Sequence, residues 1–189
     1  MAVVTPLPED QAPLLAKSFY AGGDPGPITA ALAHVPEMLE VALPFLGAIL
    51  SPSAIDFRTK EIVILRTSAL LACRYCIDSH TPVAVDSGLT NDQVRSLRNE
   101  AGFATADAFT DARDCALIAW NDEVAGKTGA VSPAVGAGIA SQFAQHEIVE
   151  LTLLIGATML LNRFATSLEL PVGESTITRL AADGFERAA

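Results

Sequence analysis

The sequence predicts an all-α protein built as a single domain, and three observations carry that expectation. Half of the residues are apolar but only 6% are aromatic, and Ala and Leu, which lead the helix-propensity ranking, dominate the periodic segments. No run alternates apolar and polar residues between hairpin turns, and no internal repeat stands out. Pro and Gly instead cut the chain into helix-length pieces. At 189 residues the chain is long enough to bury a substantial core as one unit.

Residues 1–27 read as an N-terminal arm with a short helical patch near Glu9 to Tyr20. The run Gly22-Gly-Asp-Pro-Gly-Pro27 separates it from an all-helical domain over 28–189. A short helix follows from Ile28 to Val35. Pro36 suits the first turn of a helix reaching about Leu50, and Pro44 inside that segment predicts a kink or a break. Ser53 or Asp56 caps the next helix, about Phe57 to Ala72. Its Ile62, Val63, Ile64, Leu65, Leu70 and Leu71 make it apolar on most sides, the pattern of a central helix. Cys73 to Asp86 forms a further helix ended by Gly88, and Thr90 to Glu100 a polar amphipathic one ended by Gly102. Helices from Thr110 to Gly126, from Ser132-Pro133 to Phe143, and from His146 to Leu168 complete the body. Residues 175–187 add a terminal helix.

The formal charge of −10 argues against a nucleic-acid partner, which requires clustered Lys and Arg to displace counterions. A mean hydropathy of +0.37 is high for a soluble monomer and predicts apolar surface buried between subunits of a homo-oligomer. The first residues lack a basic region followed by an apolar one, the mark of a secretory signal. The longest apolar run, near Leu151 to Leu161, is interrupted by polar residues and reads as too short to span a bilayer. The expectation is a cytoplasmic protein without membrane association, and there a Cys-x-x-Cys pair is catalytic or metal-binding rather than a structural disulfide.

Reactive side chains concentrate between Glu61 and His80. On a helix, Cys73, Cys76 and His80 stand at i, i+3 and i+7, within a stripe roughly 60° wide. Two such thiols close a disulfide with little backbone movement if Cys73 lies at the helix start. A helix N-terminus favours the thiolate, and His80 is placed to take or hold its proton. Glu61 would lie about 18 Å from Cys73 along one unbroken helix. It joins the others only if the chain reverses near Leu70-Leu71, where no Gly or Pro announces a bend.

The spacing Glu61-x11-Cys73-x2-Cys76-x3-His80 resembles the signature of alkylhydroperoxidase D-like proteins, within the carboxymuconolactone decarboxylase superfamily. Asn162-Arg-Phe resembles the closing helix of its peroxidase-related members. The resemblance implies an all-helical bundle, usually trimeric or hexameric, acting as a thiol-dependent peroxidase on alkyl or hydrogen peroxide. By the family pattern Cys76 attacks the peroxide, Cys73 resolves the product as a disulfide, and Glu61 and His80 relay protons. An external dithiol or thiol protein restores the pair, and no cofactor or metal is needed. One departure is Tyr75, which stands where better-known members carry a second His; a tyrosine is a poor base near neutral pH.

Other readings compete. A zinc site needs about four ligands, and the chain has no second Cys pair to join Cys73, Cys76, His80 and Glu61. A lactone decarboxylase would not need the dithiol, and a non-catalytic redox-sensing oligomer would use it without turnover. Arg58 could simply pair with Glu61. Cys115 reads as a small buried hydrophobe, and His34 and His146 as positional. Asp111, Asp114, Asp122 and Glu123 read as a solvated helix face.

Overall fold

A computed structural model describes residues 3–188, and among them no β-strand occurs. The helices are α1 (Pro27–Leu32), α2 (Pro36–Leu50), α3 (Phe57–Leu70), α4 (Arg74–Asp86), α5 (Asn91–Leu97), α6 (Thr105–Ala108), α7 (Ala112–Val124), α8 (Pro133–Gln142), α9 (Gln145–Ser167) and α10 (Glu174–Ala182). The short α6 had no counterpart in the sequence reading.

α3 is the axis of the molecule. Every residue from Thr59 to Leu65 is buried, and the helix packs against α4, α5, α7 and α9. The Asp56 side chain caps it by accepting from the Thr59 N–H at 2.8 Å. Ile62, Val63, Ile64 and Leu65 meet Leu117 and Ile118 of α7 and Leu151, Leu154 and Ile155 of α9 in one continuous core. α9 has the length expected for His146 to Leu168, shifted by one residue. Its 23 residues are long and apolar enough, by length and composition alone, to cross a bilayer. One face nevertheless lies in the protein core, where Leu151, Leu154 and Ile155 are completely buried.

The acidic residues of α7 are structural ties rather than a solvated face. Asp114 takes a two-pronged bond from Arg58 at 3.0 and 2.7 Å. Asp122 takes another from Arg66 at 2.7 Å on each prong. Asp111 caps α7, and Glu123 accepts from the N–H and hydroxyl of Ser132. Arg58 is thereby committed to α7 and not to Glu61. Pro44 does not break α2. It is exposed, as is Glu40, whose carbonyl it deprives of a donor, so that carbonyl is not sealed in the core.

The arm's helical patch is two 3-10 turns, Glu9–Gln11 and Leu14–Tyr20. Pro13 divides them, because the residue before a proline is driven from helical to extended backbone; Ala12 has φ −66° and ψ 131°. The arm packs its own small core of Ala12, Ala16 and Tyr20 against Ala30, Ala33 and Leu39. It is tied down by Leu7 N–H to Ala30 O at 3.0 Å and Tyr20 O–H to Leu7 O at 2.8 Å. His34 adds a bond of 2.9 Å between its Nε2 and the Thr5 carbonyl. Cys115 is exposed rather than buried. It sits on the outer side of α7, with its thiol 3.2 Å from the Phe109 carbonyl.

Candidate active site

The chain reverses between α3 and α4 without a glycine. Ala72 takes a left-handed conformation, φ 50°. Its N–H bonds the Ala69 carbonyl at 3.1 Å and the Cys73 N–H bonds the Ser68 carbonyl at 3.0 Å, the paired bonds of a Schellman ending. Placing a Cβ in that region costs about 1–2 kcal/mol, so this bend carries a small local strain of the kind that gathers at functional sites. The hairpin lays α4 back along α3.

Cys73 is the N-cap of α4, so its sulfur faces the unpaired N–H groups of the first turn. It accepts from the Cys76 N–H at 3.4 Å. The two cysteines are free, their sulfurs lie 2.7 Å apart, and both are buried, at 0% and 4% exposure. The hydrogen bond from the Cys76 thiol is the main reason that Cys73 is pulled down to about 6, helped by Thr166, the Cys76 N–H and the nearby His80 against the opposing effect of burial. Cys76 is pushed up, first by that same bond to Cys73, then by burial and by the charge of Cys73; Ser68 and Asn162 pull it the other way. Two sulfurs in hydrogen-bond contact titrate as a pair. The shifts favour charge on Cys73 and the remaining proton on Cys76.

Glu61 is 1% exposed on the α3 side of the hairpin. Its carboxylate meets His80 Nδ1 at 3.0 and 3.3 Å, within one chain. A buried carboxylate accepting at Nδ1 places the ring proton there, which leaves Nε2 as the nitrogen that exchanges protons. The His80 side chain is 30% exposed and so connects a sealed carboxylate with solvent. The structure therefore brings Glu61 and His80 into contact, and Cys73 and Cys76 into contact, on one hairpin.

Ala31, Ala165 and Leu170 pack with the two cysteines, and Ile28, Tyr75, Phe164 and Leu168 close round them. Tyr75 is a wall of this pocket. Burial raises its hydroxyl above the ordinary tyrosine value, which takes it further from acting as a base. Two cavities abut the wall. One of about 410 Å³ includes Arg74, Tyr75, Thr166 and Leu170; the other, of about 930 Å³, lies under the arm and includes Ala31, His34, Phe164 and Leu168.

Sequence reasoning missed the roles of three buried polar residues, noting Asn162 only within a family resemblance. Lys60 is completely buried, and its ammonium donates to the carbonyls of Ile49 at 2.7 Å and Ser51 at 2.5 Å and pairs with Glu150 at 2.7 Å. Ser68 and Asn162 lie beside Cys76. The signal available was a polar residue in an otherwise apolar helix, which says that a partner exists but not which one.

Residues 36–117 match the profile of the carboxymuconolactone decarboxylase family, a stretch holding α2 through α6 with the start of α7, and so the whole hairpin. Over this stretch the chain is similar to the carboxymuconolactone decarboxylase family. Its fold is the alkylhydroperoxidase D-like one. It superposes on a peroxidase-related protein with an alkylhydroperoxidase core from Ralstonia eutropha JMP134 with a TM-score of 0.78 at 15% identity, over 93% of this chain and 94% of that one. The debrominase Bmp8 gives a TM-score of 0.74 at 19% identity, over 96% and 97%. A protein of unknown function from Agrobacterium tumefaciens gives 0.65 at 24% identity, over 75% and 94%. No curated protein sequence matches the chain. At these identities the superpositions show a shared fold alone, one found in proteins with different names.

Proposed function

We propose that this protein is a thiol-dependent peroxidase in which Cys76 attacks the peroxide and Cys73 resolves the product. The observation that carries the reading is the closure of the four-residue register in space, with Glu61 on His80 at 3.0 Å and Cys73 on Cys76 at 2.7 Å. The resting pair is a monoanion. Passage of its proton from Cys76 to Cys73 moves the charge to Cys76. The Cys76 thiolate attacks the outer oxygen of R–O–O–H; the O–O bond breaks, a sulfenic acid forms, and the departing alkoxide takes a proton that His80 Nε2 has first accepted from solvent. Cys73 then gives its proton to His80 and attacks the Cys76 sulfur. The S–O bond breaks, the disulfide forms, and hydroxide leaves as water with a proton returned by the imidazole. Peroxide is reduced to alcohol and water, and the dithiol is oxidised. An external dithiol or thiol protein resets it by exchange.

Glu61 keeps the imidazole in the tautomer and orientation that this sequence needs. The test is peroxide consumption by the reduced protein with dithiothreitol as reductant. Loss of turnover in Cys76→Ser with retained helix content supports the assignment, and full activity in that variant overturns it. Release of carbon dioxide from a carboxylated lactone, undiminished in a double Cys→Ser variant, would replace the peroxidase by a decarboxylase. Disulfide formation without turnover would make the dithiol a sensor.

We also propose that the protein works as a homo-oligomer, a trimer or hexamer, joined through α2 and α9. Met38, Val41 and Phe45 form an exposed apolar stripe on α2, and Val149, Leu153 and Leu160 another on α9. Phe45 shares a groove with Val149, Leu153 and Leu160, so the two stripes make one surface. A second copy is the occupant that fits, because both stripes repeat at helical spacing and pack as helix faces. Sedimentation velocity checks this: the parent chain runs as an oligomer and Phe45→Glu/Leu153→Glu as a monomer. A monomeric parent would end the proposal.

A further inference from the structure

The amide of Asn162 is oriented by its neighbours. Ser68 donates its hydroxyl proton to the Ile64 carbonyl at 2.7 Å, so its oxygen is left to accept only. Asn162 must therefore present its NH2 group to it, and does, at 3.2 Å. That choice uses one of the two amide protons and fixes Oδ1 on the other side of the group. Oδ1 is buried and has no hydrogen-bond partner, while Asn162 as a whole is 1% exposed and Ser68 0%. A buried acceptor without a donor costs free energy comparable to a lost hydrogen bond. The group next to this orphan is reactive: Cys76 packs in one cluster with Ala165, three residues further along α9, and Asn162 acts to lower its thiol pKa.

We propose that Ser68 and Asn162 form a cradle for Cys76 in which the second Asn162 amide proton supports the negative sulfur and the unpaired Oδ1 receives the hydroxyl of the sulfenic acid. The inference rests on the peroxidase reading for its oxygen and extends that reading to two residues outside the Glu61–His80 relay. Each acceptor and donor of the cradle then has a use at one stage. The amide proton steadies the thiolate before attack. Oδ1 gains its missing donor when Cys76 becomes S–O–H. Cys73 has no such amide beside it, because its own support comes from Thr166, the helix N-terminus and the Cys76 thiol. The cradle thus also decides which sulfur takes the oxygen. Ser68 holds the arrangement from both ends, since its hydroxyl fixes Asn162 and its carbonyl holds the Cys73 N–H at 3.0 Å.

The test uses a Cys73→Ser background, in which one of the paired thiols remains to titrate. The pH dependence of Cys76 alkylation by iodoacetamide is compared with that of added Asn162→Ala and Asn162→Asp, with alkylation mapped by mass spectrometry and folding checked by circular dichroism. Asn162→Asp keeps the shape and the acceptor but removes the N–H donors. Both changes move the alkylation midpoint upward by about one pH unit, equal to about 1.4 kcal/mol. Both also lower dimedone-trapped sulfenic acid at Cys76 about tenfold after a small dose of peroxide. An unchanged midpoint in both variants overturns the cradle, whatever the turnover. A shifted midpoint in a protein whose parent consumes no peroxide keeps the thiolate support and overturns the peroxidase reading instead.

Discussion

Two neighbouring residues on α3 carry buried charges of opposite sign, and the fold treats them differently. Lys60 is saturated: its three ammonium protons have the Ile49 and Ser51 carbonyls and the Glu150 carboxylate. Those carbonyls belong to the end of α2 and the turn after it, so Lys60 ties α2 to α3 and α9, and Ser53 bonds Glu150 from the same turn. Glu61, one residue later, points to the α4 side and meets an ionisable group that is itself part-exposed. The first charge is satisfied by two backbone carbonyls, which cannot change state, and by a carboxylate that Lys60 itself helps to keep ionised. The second is partnered by a group that gains and loses protons. A fully solvated ion in a protein interior holds the structure; one whose partner titrates is available for chemistry.

Swapping the two effects would break the comparison. Lys60→Met leaves Glu150 and two helix-end carbonyls without their cation and is expected to lower stability by about 3–5 kcal/mol, read by urea denaturation, with turnover per folded molecule retained. Glu61→Gln should do the reverse. Peroxide turnover falls about 100-fold, while the urea midpoint moves by no more than about 1 kcal/mol. If Lys60→Met abolishes turnover in the folded fraction, or Glu61→Gln unfolds the protein, the division between holding and reacting is wrong.

The pH dependence sharpens the same point. Cys73 is lowered to about 6, and a lowered acid is ionised above its pKa. Alkylation of the wild-type dithiol should therefore level off above that value and fall about tenfold per pH unit below it. The contribution of Cys73 to folding stability has the same direction. It is fully present above the ordinary thiol value of 9.0 and is lost as pH falls through about 6. The smallest effect belongs to the bend. Ala72→Gly relieves the left-handed backbone and is expected to add about 1 kcal/mol to stability, checked by thermal melting, with the site chemistry unchanged.

The parts of this site that could be read from the sequence are those encoded by spacing along one helix. Cys73, Cys76 and His80 share a stripe whatever the rest of the chain does. The place of Glu61 needed a reversal, and the residue that makes it, Ala72, is of a type that seldom adopts left-handed backbone. Nothing in its letter marks the turn; the marker is the pair of hydrogen bonds to Ser68 and Ala69. Lys60, Ser68 and Asn162 were hidden for a different reason. Their partners lie on other helices, so their meaning depends on tertiary contacts. The helical bundle itself was legible from periodicity and breakers. The break expected at Pro44 and the solvated face expected on α7 are absent because exposure and cross-helix pairing decide them, and neither is a local property.

The relay and both thiols sit on a single hairpin of about twenty residues, closed by its own turn and its own cap. Such a unit is portable. Grafted onto another antiparallel helix pair of similar crossing, it would bring a proton-coupled dithiol that opens and closes its disulfide. It would not bring Asn162, which comes from α9 almost a hundred positions away. A transplanted hairpin should therefore exchange electrons with other thiols yet handle peroxide oxygen poorly, a separation of redox exchange from oxygen transfer that the intact chain does not display.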